Sequence, residues 1–216
     1  MRRAQRWTIL ALALAMLLLG SCVKLERQPV DKHFYALEVA RPGAAGGAAD
    51  GAALSPATLL VRRMQVSPRV AGRELVYRTA QSAWTADYYN LFFVAPADML
   101  TQDLRAWLGA SGLFAHVVDP SSLVQPGYIL EGNVSALNGD FAPGAEKGPA
   151  LAVAEMQFLL IRVTGGERTV VLTRDIRKTA PLAANTPAEL VRALRVAVAE
   201  VNAELETALR EVLAKK

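Results

Sequence analysis

The spacing of apolar positions changes repeatedly along this 216-residue chain, and each change marks an expected element. An unbroken apolar run at 8–19 comes first. It is shorter than the roughly 20 residues that a membrane-spanning helix needs. Residues 33–39 (HFYALEV) then read as a strand, and 58–66, 74–80 and 88–94 follow as further β-prone segments rich in Leu, Val, Tyr and Phe. At 128–136 the alternation is clean: Tyr128, Leu130, Gly132 and Val134 point one way, and Glu131, Asn133 and Ser135 the other. Residues 114–118 read as a short strand. The segments 151–163 and 169–178 flank Thr164-Gly165-Gly166-Glu167, a β-hairpin signature.

Two stretches carry the helical period instead. Leu100, Leu104, Trp107 and Leu108 share one face of a helix expected over 96–111, with Pro96 in its first turn and Gly112 at its end. Asp98 and Asp103 lie toward its electropositive N-terminus. In the last segment, Thr186-Pro187-Ala188-Glu189 matches a capping box. Leu190, Leu194, Val198, Val201, Leu205, Leu209 and Val212 then form an apolar stripe, with Arg192, Arg195, Glu200, Glu204 and Glu206 on other faces. The stripe is expected to pack on the sheet, with coiled-coil pairing or self-association through this helix as the alternative. Together these elements predict an α+β fold: one domain with a mainly antiparallel β-sheet packed by two α-helices, the second at the C-terminus. Between its first two strands, 41–57 is dominated by Gly and Ala and is expected to be a flexible loop. It matches neither GxGxxG nor a Walker sequence.

The N-terminus changes which residues belong to that fold. Arg2, Arg3 and Arg6 precede the short apolar run, which ends in small residues, as in a secretion signal. Leu19-Gly20-Ser21-Cys22 resembles the bacterial lipobox, with cleavage between Ser21 and Cys22 and acylation of the Cys22 thiol. The alternative is an ordinary secreted protein with a chance cysteine at that position. Expected boundaries are a signal peptide at 1–21, a lipidated tether at 22–32 and a folded domain at 33–216. Burying acyl chains is worth about 0.8 kcal/mol per CH₂, so two or more chains hold a protein stably on a bilayer. Val23 follows the cysteine where an Asp would favour inner-membrane retention, and by the sorting rules of Gram-negative bacteria it points to the outer membrane. Cys22 is the only cysteine, which excludes an internal disulfide or a Cys-based metal site. Removing the signal lowers the formal charge from +4 to +1. That small excess gives no support for nucleic-acid binding.

Catalytic patterns are sparse, and no enzyme is expected. His33 and His116 form no HExxH or close pair, and they read as structural or surface residues. Gly109-Ala110-Ser111-Gly112 lacks the spacing of a nucleophile elbow. Asp98 and Asp103 sit five residues apart and share a helix face poorly. The unusual feature is aromatic. Tyr77, Trp84, Tyr88, Tyr89, Phe92 and Phe93 fall within seventeen residues. Neighbours on a strand point to opposite faces, so at least one of Tyr88/Tyr89 and one of Phe92/Phe93 is expected outside the core. Tyr88, Tyr89, Phe92 and Phe93 are therefore the candidate contacts for a protein partner or for lipid.

Several stretches, taken in order, resemble one family. They are the lipobox, His33-Phe34-Tyr35-Ala36-Leu37, Leu75-Val76-Tyr77-Arg78, Pro96-Ala97-Asp98-Met99-Leu100, Ser111-Gly112-Leu113-Phe114 and Tyr128-Ile129-Leu130-Glu131-Gly132, followed by the late helix. Their order and spacing over about 33–213 are similar to those of the ABC-type transport auxiliary lipoproteins, the PqiC/YmbA-like group. The long Gly/Ala insertion departs from that pattern, and Tyr88-Tyr89-Asn90-Leu91-Phe92 replaces the family's Trp-containing stretch. The resemblance implies a non-catalytic component without cofactor, working with an ABC permease, an ATPase and an MCE-domain protein that move lipids between membranes. In that role it docks the periplasmic MCE assembly at the outer membrane. The alternatives are a lipid-binding shuttle and a structural envelope lipoprotein.

Overall fold

A computed structural model describes residues 31–43, 53–141 and 150–215. The expected signal peptide, Cys22, Val23 and the tether up to residue 30 lie outside the described residues, as does the centre of the Gly/Ala-rich loop.

The sheet is organised around one long strand. In chain order the elements are β1 (His33–Tyr35), β2 (Ser55–Val61), β3 (Gln65–Val66), a 3₁₀ turn at 68–70, β4 (Glu74–Arg78) and β5 (Trp84–Phe92). Then come α1 (Pro96–Gly109), β6 (Phe114–Val118), β7 (Tyr128–Asp140), β8 (Leu151–Thr164), β9 (Glu167–Pro181) and α2 (Pro187–Ala214). Strand β7 pairs along its length with β8, and β8 with β9, in two long antiparallel ladders. On the other edge of β7 sit three short parallel partners in sequence: β2 against Tyr128–Leu130, β3 against Asn133–Val134, and β4 against Gly139–Asp140. The sheet then continues outward from β2 to β6 and from β4 through β5 to β1. The α+β class and the two helices are as expected. Antiparallel ladders carry most of the paired residues, but the sheet is mixed. Three of the parallel pairings arise because one chain segment visits the same edge of β7 three times, and β1–β5 and β2–β6 are parallel as well.

Several expected boundaries shift: the segment 58–66 divides into β2 and β3, β5 begins at Trp84, and β7 runs on to Asp140. Two further shifts have a local reason. Strand β1 ends at Tyr35 instead of continuing to Val39, because Glu38 has a left-handed backbone (φ 50°). Leu37 and Val39 are nevertheless buried. The Val39 N–H donates to Asp103 Oδ2 at 3.1 Å, and Arg195 donates to the Leu37 carbonyl, so side chains replace the missing ladder. Asp103 thus tethers this segment and is no dipole partner, and its burial pushes its carboxyl above the usual range. Strand β2 starts at Ser55, inside the expected loop. Pro56 cannot donate to a ladder, and the register against β6 shifts between Ser55 and Thr58.

Helix α2 buries its stripe on β8 and β9, so the sheet of its own chain covers it. Leu190, Leu194, Val198, Val201, Leu205 and Leu209 are at most 1% exposed, and Leu213 takes the last buried place from Val212. The capping box is half formed. Thr186 Oγ1 accepts from the Glu189 N–H at 3.3 Å, while Glu189 Oε1 reaches back to the Ala183 N–H at 2.9 Å. Glu206, expected on a polar face, is buried. It accepts from Arg41 Nε (2.9 Å) and Nη2 (3.0 Å), from Trp107 Nε1 (2.9 Å) and from Arg210 Nη2 (3.1 Å). This carboxylate joins the segment after β1 to both helices.

Candidate functional site

The aromatic segment lies on β5, and a break in pairing decides what it exposes. Glu74 pairs with Leu91 and Val76 with Ala86, so one step along β4 spans several residues of β5. The residues between them leave the ladder and are held by Asp87. Its Oδ1 accepts the N–H groups of Tyr89 (2.9 Å) and Asn90 (3.0 Å), and its Oδ2 accepts from Asn90 Nδ2 (3.0 Å) and the Tyr77 hydroxyl (2.9 Å). Burial pushes the Asp87 carboxyl up, but the hydrogen bonds from Tyr89, Tyr77 and Asn90 outweigh it, and the group sits below the usual carboxylate range. Tyr77 is pushed above its ordinary value by burial and by the bond to Asp87. An Asp that binds N–H groups two and three residues onward makes a compact turn. The turn presents Tyr88 and Tyr89 together.

Tyr88 and Tyr89 are 59% and 53% exposed, with ring centroids 5.3 Å apart in an edge-on arrangement. Phe93 is 66% exposed and meets Phe34 of β1, 51% exposed, at 6.4 Å. Phe92 is a correction to the expected contacts. Its side chain is 2% exposed in the core, and its N–H is bonded to the Arg73 carbonyl, so it contacts neither partner nor lipid. Its neighbour points outward, as strand alternation requires. Sequence reasoning missed Phe34, Val94 and the Asp87 turn. The readable sign of the turn is Asp87, three residues before Asn90 and directly before the strand expected at 88–94.

Two cations border these rings. Lys32 Nζ lies 4.0 Å from the Tyr88 ring centre, and the Arg73 guanidinium 5.2 Å from that of Phe34. Arg73 Nε also donates to the Phe92 carbonyl at 2.9 Å, which fixes its position. Beside Phe93 and Val94, a cleft of about 140 Å³ opens toward Leu37, Met99 and Asp103. It falls short of the roughly 300–1,000 Å³ of pockets that enclose small molecules. A second concavity, of about 290 Å³, crosses β7, β8 and β9. Its Ser135–Glu155–Arg177 and Gln157–Asp175 bonds are those of a solvated sheet face. His33 and His116 are both exposed. Among the described residues, no group of three His, Cys, Asp or Glu side chains is placed to hold a metal. Among them also, no helix is long and apolar enough to cross a membrane.

Residues 35–206 match the family model described as ABC-type transport auxiliary lipoprotein component. The chain belongs to this auxiliary lipoprotein family. Its fold is similar to a crystal structure of a protein from Xanthomonas campestris, at 17% identity and TM-score 0.70, with 85% of this chain and 98% of that one covered. An uncharacterized protein is similar at 18% identity and TM-score 0.60, with 82% and 98% covered. At these identities the likeness speaks for the fold alone. No curated protein matches the sequence. Family membership makes the chain a transport-associated lipoprotein.

Proposed function

We propose that this protein is a non-catalytic, outer-membrane lipoprotein subunit of an MCE-type ABC transport system, and that it docks the periplasmic MCE assembly for lipid transfer between membranes. The observation that carries the reading is that the auxiliary-family domain opens its first strand at His33, eleven residues after the lipobox cysteine Cys22. Such a chain holds the start of its domain within about 40 Å of a bilayer. That is the position a receiving subunit needs. The signal peptide at 1–21, acylation at Cys22 and sorting by Val23 are parts of the same proposal. The partners are the MCE-domain protein with its permease and ATPase, the membrane and, through the exposed aromatics, lipid.

Co-purification of the full-length protein from gently solubilised membranes tests the reading. An MCE-domain protein and its permease are expected among the captured chains, and loss of that capture in Cys22→Ala is expected with the domain still folded. Recovery of envelope proteins with no transport component would overturn it. The shuttle alternative requires co-purifying lipid, and the 140 Å³ cleft gives it little room.

A further inference from the structure

The exposed aromatics fall in two pairs, and both pairs lie on the β1–β5 edge of the sheet, where the chain enters the domain. Phe34 of β1 meets Phe93, the residue after β5, at the outer end of the strand path, and the Asp87 turn holds Tyr88 and Tyr89 of β5 outward. Lys32, the last tether residue, lies over Tyr88, so the surface begins where the tether ends. Its composition is also that of an interfacial layer. Phenol rings with an apolar body and a polar tip settle at headgroup depth, and Lys and Arg beside them favour lipid phosphates. Ten residues from Cys22 to Lys32 span at most about 35 Å, so an acylated Cys22 would keep this edge within that distance of the bilayer.

We propose that Phe34, Tyr88, Tyr89 and Phe93 are a membrane seat, resting in the headgroup layer of the bilayer that holds the Cys22 acyl chains. Lys32 and Arg73 face the lipid phosphates at its margin. The seat fixes the orientation of the domain, so that a partner approaching from the aqueous side meets a constant face. The inference rests on the acylation of Cys22.

The mature lipidated protein has no free thiol, so single Tyr88→Cys, Phe93→Cys and Leu123→Cys variants can each be labelled with an NBD fluorophore. Leu123 is fully exposed in the loop after β6, at the other end of the strand path, and serves as the comparison. Each labelled full-length protein is reconstituted into vesicles of phosphatidylethanolamine and phosphatidylglycerol carrying headgroup spin-labelled lipid. Flotation of the unlabelled parent tests the anchor separately. The expected result is a blue shift with several-fold stronger quenching at positions 88 and 93 than at 123. Flotation with water-like emission at all three positions would overturn the seat while leaving the anchor intact. Water-like emission in vesicles, with protection at 88 and 93 only when membranes from the source cells are added, would assign the surface to a protein instead. Failure to float would remove both the anchor and the seat.

Discussion

Glu206 is the buried group on which three parts of the domain converge, and its removal tests how the fold is held. Glu206→Ala deletes four hydrogen bonds to a carboxylate, from Arg41 (two), Trp107 and Arg210. Trp107 is 3% exposed, so its indole N–H is left without water, at a cost of about 1–3 kcal/mol. Arg41 and Arg210 keep 27% and 50% of their side chains exposed and rehydrate, so their loss adds only about 1 kcal/mol. The expected destabilisation is about 2–4 kcal/mol, or about 5–15 °C in Tm for a domain of this size. Glu206→Gln keeps an acceptor for Trp107 and should lose about half as much. Urea denaturation followed by circular dichroism measures both, with an unchanged slope showing that the two-state comparison holds. The pH dependence has a definite sign. Burial pushes the Glu206 carboxyl up, but its bonds to Arg41, Trp107 and Arg210 outweigh this and hold it below the usual carboxylate range. The part of its contribution that depends on charge is therefore complete above the unfolded value and is lost as pH falls through the lower folded value. The gap between parent and Glu206→Gln should be constant near neutrality and close only in acid. Losses under about 0.5 kcal/mol for both variants would refute the reasoning.

Three further outcomes follow from single contacts. Asp87→Ala removes the acceptor of the Tyr89 and Asn90 N–H groups, and amide exchange at these two residues should rise with little change in global Tm. Gly132→Ala places a methyl 2.8 Å from Met64 Cε and 3.3 Å from Phe158 Cε1; a loss of about 1–2 kcal/mol is expected in urea denaturation. Asn202 is 2% exposed and its Nδ2 has no hydrogen-bond partner, so Asn202→Leu should leave stability unchanged or raise it by up to about 1 kcal/mol in the same assay.

Much of the fold was legible because its elements carry strong local periods. The stripe from Leu190 to Leu209 and the alternation from Tyr128 to Val134 each name a buried face, and the structure buries those faces. The hairpin turn was equally readable, with Gly165 and Gly166 both at positive φ. The parallel pairing of β2, β3 and β4 along one edge of β7 was not readable, since pairing partners far apart in sequence leave no local period. The charge on Glu206 also misled. A carboxylate at a buried helix position reads as a polar face until Arg41 and Trp107, distant in the chain, are brought to it. At the candidate site, alternation predicted at least one exposed member in each aromatic pair, and both pairs meet it, with Phe93 outward over Phe92 and both tyrosines outward. That Tyr88 and Tyr89 are exposed together was not readable, because it depends on Asp87 taking them out of the ladder with β4. Phe34 joined them only through the β1–β5 pairing.

Docking between two membranes can be measured directly by vesicle bridging. One population of vesicles carries the reconstituted MCE-type transporter, and a second, fluorescently marked, carries the full-length lipidated protein. Saturable co-flotation of the two populations is predicted, with loss of bridging for Cys22→Ala. Failure to bridge when both proteins are folded and membrane-bound would contradict the account.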